Sequence, residues 1–233
     1  MTVSEAGAGV VGRLDVVRRS IAEAARAAGR TTPVDLVAVT KTFDAGHIRP
    51  ALLAGQRIVG ENRVQEAKAK WPALREEFPD IELHLLGPLQ TNKAKDAVAL
   101  FDVIQSVDRE KVAAAIAKAA DAAGRMPRCL VQVNVGNEPQ KAGVAPEETA
   151  ALVDSCRALG LPVIGLMAIP PVDEPPGPHF EALAHLAEGL GLDTSMGMSG
   201  DYAEAIAHGA RWVRVGSAIF GARPPAGGAT TAA

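Results

Sequence analysis

Eight short runs rich in Val, Ile, Leu and Thr recur along the chain, at residues 34–40, 57–60, 83–86, 102–106, 128–134, 162–168, 193–197 and 212–216. Runs of this length read as strands, and the segments between them carry apolar residues three or four apart, which is helical spacing. The helical segments fall at 45–54, 62–76, 91–99, 109–123, 146–158, 179–190 and 201–208. Such alternation predicts an α/β fold with a parallel sheet and right-handed crossovers, and eight strands close most naturally into a single (β/α)8 barrel of the TIM type. An open doubly wound sheet is the alternative. It usually carries fewer strands and a glycine-rich turn after the first, whereas here the first strand ends in Thr40-Lys41-Thr42.

An extra helix over 10–28 precedes the first strand, with Val11, Leu14, Val17, Ile21, Ala24 and Ala28 on one stripe. Asp108 and Gly124 are suited to start and stop the helix between them. Pro72 is expected to kink or restart the 62–76 helix, and the run from Gly87 to Lys95 leaves little room for a full helix. Residues 169–178, with five prolines and a glycine, read as a stiff loop on the face where barrel sites form. The expected organisation is a flexible N-terminus over 1–9, one barrel domain over 10–223, and a flexible C-terminal tail over 224–233.

Composition narrows the function classes. Hydrophobic residues make up 48% against 22% charged, enough for a large core. Aromatics are only 3% and the formal net charge is -3, which argues against nucleic acid, since neither stacking platforms nor a basic excess is present. No stretch approaches the apolar length of a membrane span or a signal core, so no membrane association is expected. Cys129 and Cys156 read as small core residues in a reducing, cytoplasmic setting.

The chemistry starts at Lys41, which follows the apolar run Val34 to Thr40 and so stands at the mouth of a buried strand. An ammonium there is costly unless paired or converted, which makes Lys41 a candidate imine former. Ser195-Met196-Gly197-Met198-Ser199-Gly200-Asp201-Tyr202 ends the seventh strand, and Val213 to Gly221 ends the eighth. Loops after strands seven and eight form the recurrent phosphate site of such barrels, and Ser199 and Ser217 add hydroxyl donors. Closure makes strands one and eight neighbours, so an imine-forming amine would stand beside a phosphate cradle. A pyridoxal 5′-phosphate (PLP) site and a sugar-phosphate Schiff-base aldolase both fit that pairing. An inward Arg214 would favour PLP, since arginine can only donate to the pyridine nitrogen; the pleat alone leaves inward and outward equally open.

The segments Leu36 to Thr42, Gly60-Glu61-Asn62-Arg63-Val64-Gln65-Glu66, His84 to Lys93, Ser106-Val107-Asp108, Gln132-Val133-Asn134, Gly165 to Pro170, Ser195 to Ser199 and Arg214 to Gly221 resemble, in order, those of the pyridoxal phosphate homeostasis proteins. The barrel of that family is similar to the N-terminal domain of alanine racemase, and the resemblance covers about residues 10–223. It implies that Lys41 holds PLP as a Schiff base, that Arg214 faces the pyridine nitrogen, that Ser199, Gly216 and Ser217 hold the phosphate, and that Asn62 and Met167 line the ring. Ser217 stands where threonine is more usual and Arg63 where tyrosine often occurs, which bears only on fine positioning.

The function so implied is a PLP carrier or buffer with little or no turnover, with PLP-dependent apoenzymes as candidate recipients and the chain itself a monomer. The alternative is a PLP-dependent racemase. Alanine racemases take a second base from a tyrosine of a C-terminal β-domain, and this chain is expected to lack that domain; its single tyrosine, Tyr202, is expected to start an exterior helix. Lys93 and Lys141 read as solvated salt-bridge partners and His84 as a packed core histidine, while the spacing of His179 and His185 argues against a shared metal.

Overall fold

The computed structural model describes residues 5–222, with side chains from residue 9. The strands are β1 (Asp35–Val39), β2 (Ile58–Glu61), β3 (Glu82–Leu85), β4 (Val103–Val107), β5 (Arg128–Val133), β6 (Val163–Ala168), β7 (Asp193–Ser195) and β8 (Trp212–Val215). Each pairs in parallel with the next, and β8 returns to β1 to close the barrel. The seam sets Val37 opposite Arg214 and Ala38 opposite Val215. The first and last strands therefore deliver their C-terminal loops to the same rim.

Alternation along the strands sorts side chains into two cores. Val37, Val39, Leu86, Val103, Leu130, Met167 and Trp212 meet inside the barrel. Their strand neighbours Leu36, Ala38, Ile104, Val131, Leu166 and Val213 face outward into the larger core under the helices. A register shift between Cys129 and Leu130 against β6 interrupts the alternation there, which is how both Ile164 and Met167 reach the interior.

The helices are α1 (Glu5–Ala27), α2 (Ala45–Leu53), α3 (Val64–Glu77), α4 (Ala94–Leu100), α5 (Glu110–Ala123), α6 (Thr149–Ala158), α7 (Pro176–Gly189), α8 (Tyr202–Ala207) and α9 (Ser217–Phe220). The extra helix α1 packs on α2, α8 and α9, across the seam. Val10, Leu14, Val17 and Ile21 form its buried stripe, so Val10 rather than Val11 faces the core, and Ala28 lies past its end. Arg13 Nε donates to the Ile219 carbonyl at 2.7 Å and ties α1 to α9.

Three elements differ from expectation. The helix expected over 10–28 already begins at Glu5; residues 5–9 precede its apolar stripe, so periodicity carries no signal for them. Pro72 does not restart the helix: α3 runs unbroken from Val64 to Glu77 with the proline inside it, burying Val64, Ala67, Trp71 and Leu74. The stiff loop is shorter than 169–178, because α7 opens at Pro176 with prolines in its first turn, where a missing N–H costs nothing. Elsewhere the chain stops short of full helices: a 3-10 turn over Thr91–Lys93 precedes α4, and another over Pro146–Glu148 precedes α6. The expected tail over 224–233 lies outside the described residues. Among those described, no helix is long and apolar enough to cross a membrane.

Candidate functional site

At the C-terminal rim of the barrel a cavity of about 340 Å³ is lined by Lys41, Asn62, Ser199, Arg214, Gly216 and Ser217, together with Val39, Phe43, Leu86, Ile169 and Met198. Lys41 enters from the turn that follows β1 and is half-buried. The next residue, Thr42, sits at φ 69°, a left-handed conformation that a β-branched side chain rarely adopts. Its neighbours are clamped: Lys70 of α3 donates from Nζ to the carbonyls of Thr40 and Phe43, both at 2.9 Å. Lys70 is in turn neutralised by the wholly buried Glu61 at 2.6 Å, whose Oε1 also accepts from Thr40 Oγ1 at 2.6 Å and Trp71 Nε1 at 3.0 Å. The turn carrying Lys41 is thus held from behind by a buried ion pair.

Arg214 points inward, which resolves the ambiguity of the pleat. It is 5% exposed; one terminal nitrogen donates to Ser195 Oγ at 2.8 Å and the other to the Ala168 carbonyl at 2.8 Å. Burial lowers its pKa to about 10, opposed by the carboxylate of Asp201, so the guanidinium remains charged at neutral pH and acts only as a donor. Asp201 also organises the turn after β7, where its Oδ1 accepts from the Met198 amide at 2.6 Å.

At the same cavity the loops after β7 and β8 bring Ser217 Oγ within 3.4 Å of Ser199 Oγ. Gly197 makes that approach possible at φ 87°, where an added Cβ would stand 2.5 Å from Ala205 Cβ. Asn62 is placed by a different close approach. A Cβ on Gly87 would come within 2.1 Å of the Asn62 carbonyl oxygen, so the two backbones are in contact where the β2 and β3 loops meet.

Six of the seven residues expected at the site line this one cavity. Met167 does not: it is wholly buried in the barrel interior below it, among Val37, Val103, Leu130 and Trp212. Val39, Phe43, Leu86, Ile169 and Met198 line the cavity without having been singled out. For Val39 the signal was present, since it shares the inward parity of Val37 and Lys41 on β1 and its continuation. Lys141 bridges to Glu138 at 2.5 Å and reaches the Pro170 carbonyl at 3.0 Å, outside the cavity lining. His84 is wholly buried, and Cys129 and Cys156 are buried free thiols whose pKa values are pushed up by burial to about 12 and about 11.

The lining brings together an amine, a fixed cationic donor and two hydroxyls. It suits one small ligand carrying a carbonyl, a ring acceptor and an anion. A parallel barrel with such a rim falls into the class of the alanine racemase N-terminal domain, and the family model of that description matches residues 13–224. Two curated pyridoxal phosphate homeostasis proteins are each 43% identical to this chain. That of Pseudomonas aeruginosa aligns over 217 residues, 89% of this chain and 93% of its own length; that of Deinococcus radiodurans aligns over 208 residues, 88% and 95%. The chain belongs to the pyridoxal phosphate homeostasis protein family. Among solved structures, PipY of Synechococcus elongatus with PLP bound is 38% identical, with a TM-score of 0.77 over 91% of this chain and 100% of that chain. A histidine racemase from Leuconostoc mesenteroides shares the fold at a TM-score of 0.69 and 16% identity, over 93% of this chain and 58% of that one.

Proposed function

We propose that the chain binds PLP at the barrel mouth and acts in intracellular PLP homeostasis as a carrier or buffer with little or no turnover. The observation that carries this reading is the convergence of Lys41, Arg214, Ser199 and Ser217 on one cavity of about 340 Å³, the low end of the range for small-ligand sites. The residues fit the cofactor. Nζ of Lys41 is the amine for the aldehyde carbon, forming an imine linkage with loss of one water. Arg214 donates to the pyridine nitrogen and keeps it unprotonated, because a guanidinium has no proton to yield at neutral pH and no lone pair to offer. Ser199, Gly216 and Ser217 receive the phosphate, and Asn62 borders the ring; Met167 packs in the barrel interior among Val37, Val103, Leu130 and Trp212. PLP supplies an electrophilic carbon and an electron sink, and an unprotonated ring is the weaker sink.

Holding rather than turning over is supported by the lining itself. Among the described residues bordering the cavity, Lys41 and Arg214 are the ionisable ones, and Arg214 is committed as a donor. Racemisation needs a second base on the far side of the ring. Tyr202 opens α8 and is not among the lining residues. The buried free thiols agree with a reducing, cytoplasmic setting, and a monomer suffices for the reading, since one chain provides every contact named.

The test mixes PLP-loaded protein with a PLP-dependent apoenzyme and, separately, with L-alanine. The expected result is recovery of the apoenzyme's activity and no D-alanine above background. Sustained racemisation at about 1 s⁻¹ or faster, the range of ordinary enzymes, would overturn the carrier reading.

A further inference from the structure

A chain of side chains runs from Arg214 through the barrel interior to its opposite end. Arg214 donates to Ser195 Oγ at 2.8 Å, Ser195 Oγ donates to Gln105 Oε1 at 2.6 Å, Gln105 Nε2 faces His84 Nδ1 at 2.7 Å, and His84 Nε2 meets Glu82 Oε1 at 2.7 Å. Ser195, Gln105 and His84 are wholly inaccessible and come from β7, β4 and β3, whereas Glu82 opens β3 at the other rim, where Arg128 of β5 holds its second oxygen at 2.7 Å.

The order of donors follows from the Glu82 end. A carboxylate only accepts, so His84 presents Nε2–H to it. A wholly buried imidazole flanked by Glu82, Arg128 and the nearby Asp102 stays neutral, since burial outweighs the attraction of the acids. Nδ1 is then an acceptor and receives the amide N–H of Gln105. The amide oxygen of Gln105 is left facing Ser195, the Ser195 proton goes to it, and the serine lone pair is left for Arg214. Each group has one arrangement compatible with the next, and the donor-only guanidinium at one end and the acceptor-only carboxylate at the other both require it.

We infer that Ser195, Gln105, His84 and Glu82 form a positioning relay that fixes the guanidinium of Arg214 for its ring acceptor, with Glu82 as the acceptor that anchors its far end. The inference rests on the PLP reading of the site. None of the four is in the cavity lining, so they act through Arg214 rather than on the cofactor.

The experiment compares wild type with Glu82→Gln, Ser195→Ala and Ser195→Thr. It reads the PLP dissociation constant, the pH midpoint of the visible absorption of the Lys41 linkage, and the ¹⁵N histidine spectrum of the cofactor-free protein. The wild-type spectrum is expected to show His84 as the neutral Nε2–H form. Glu82→Gln, a change at the rim opposite the cofactor, should alter that tautomer signal, shift the absorption midpoint and weaken PLP binding roughly three- to tenfold, the effect of one misplaced hydrogen bond. Ser195→Ala should shift midpoint and affinity likewise, and Ser195→Thr, which keeps the hydroxyl, should restore both. Folded variants with a lowered melting temperature but wild-type midpoint and affinity would overturn the relay and reduce the chain to core packing. An Nδ1–H signal for His84 in wild type would also overturn it. Absence of any reducible linkage in wild type would overturn the PLP reading itself, and the relay with it, so the two failures are told apart by which protein shows them.

Discussion

Replacing Gly87 with alanine would drive a Cβ against the Asn62 carbonyl, and neither backbone can yield without shifting the loops that border the cavity. We expect Gly87→Ala to cost about 1–3 kcal/mol, the usual penalty for overpacking, and to weaken PLP binding. Thermal unfolding together with a PLP titration checks both; an unchanged affinity would detach Asn62 from the site. Residues differ in how far the sequence exposed them. Lys41 was legible because a lysine after a buried strand is chemically conspicuous, and Gly216 and Ser217 because closure places their loop beside it. The direction of Arg214 was not, since the pleat allows two faces and only the register with Val37 selects the inner one. Met167, expected beside the ring, packs in the barrel interior and is not in the cavity lining, because depth inside a barrel is not written in a strand's alternation.

At the scale of elements, α3 does more than cover the sheet. Its Lys70 and Trp71 meet Glu61 at the end of β2, and the same lysine grips both sides of the Lys41 turn. Removing one partner of a buried pair leaves the other charge uncompensated, so Glu61→Ala should destabilise the fold by about 3–5 kcal/mol. Lys70→Met should cost less PLP-independent stability when made together with Glu61→Gln than alone, because the pair is then removed without an orphan charge. Denaturant unfolding of the cofactor-free proteins reports the coupling, and strict additivity would contradict the clamp. The motif Gly60-Glu61-Asn62 was visible in the sequence as a resemblance, but Glu61's task was not, because it depends on a lysine nine residues later packing back onto the barrel. Strands were legible to within one or two residues since each is a buried run. Helix starts were less so: α7 begins inside a proline cluster, and α1 begins before its apolar stripe.

For the whole molecule, closure converts a separation of 173 residues between Lys41 and Arg214 into one site. It also encloses polar groups whose titration governs acid stability. Burial lowers the pKa of His84 from 6.5, and hydrogen bonds from His84 and Arg128 hold the Glu82 carboxyl at about 2 against an ordinary 4.5. Both folded-state pKa values are depressed, so in both cases the unfolded chain takes up protons before the native one does. Their contribution is full above about pH 6.5 and is lost as pH falls, first below 6.5 through His84 and then between 4.5 and 2 through Glu82. Urea unfolding at pH 7.5, 5.5 and 4 should show a falling midpoint; a midpoint that rises toward acid would contradict this assignment.

The central claim is that Lys41 is the covalent anchor of PLP in a cavity to which the loops after the first and last strands of the barrel contribute. Mass spectrometry of the PLP-loaded protein after borohydride reduction and proteolysis tests it most directly. The account predicts a pyridoxyl phosphate adduct on the peptide containing Lys41, absent from a folded Lys41→Ala protein. An adduct seated on Lys93 or Lys141, or one that persists at full occupancy in Lys41→Ala, would contradict it.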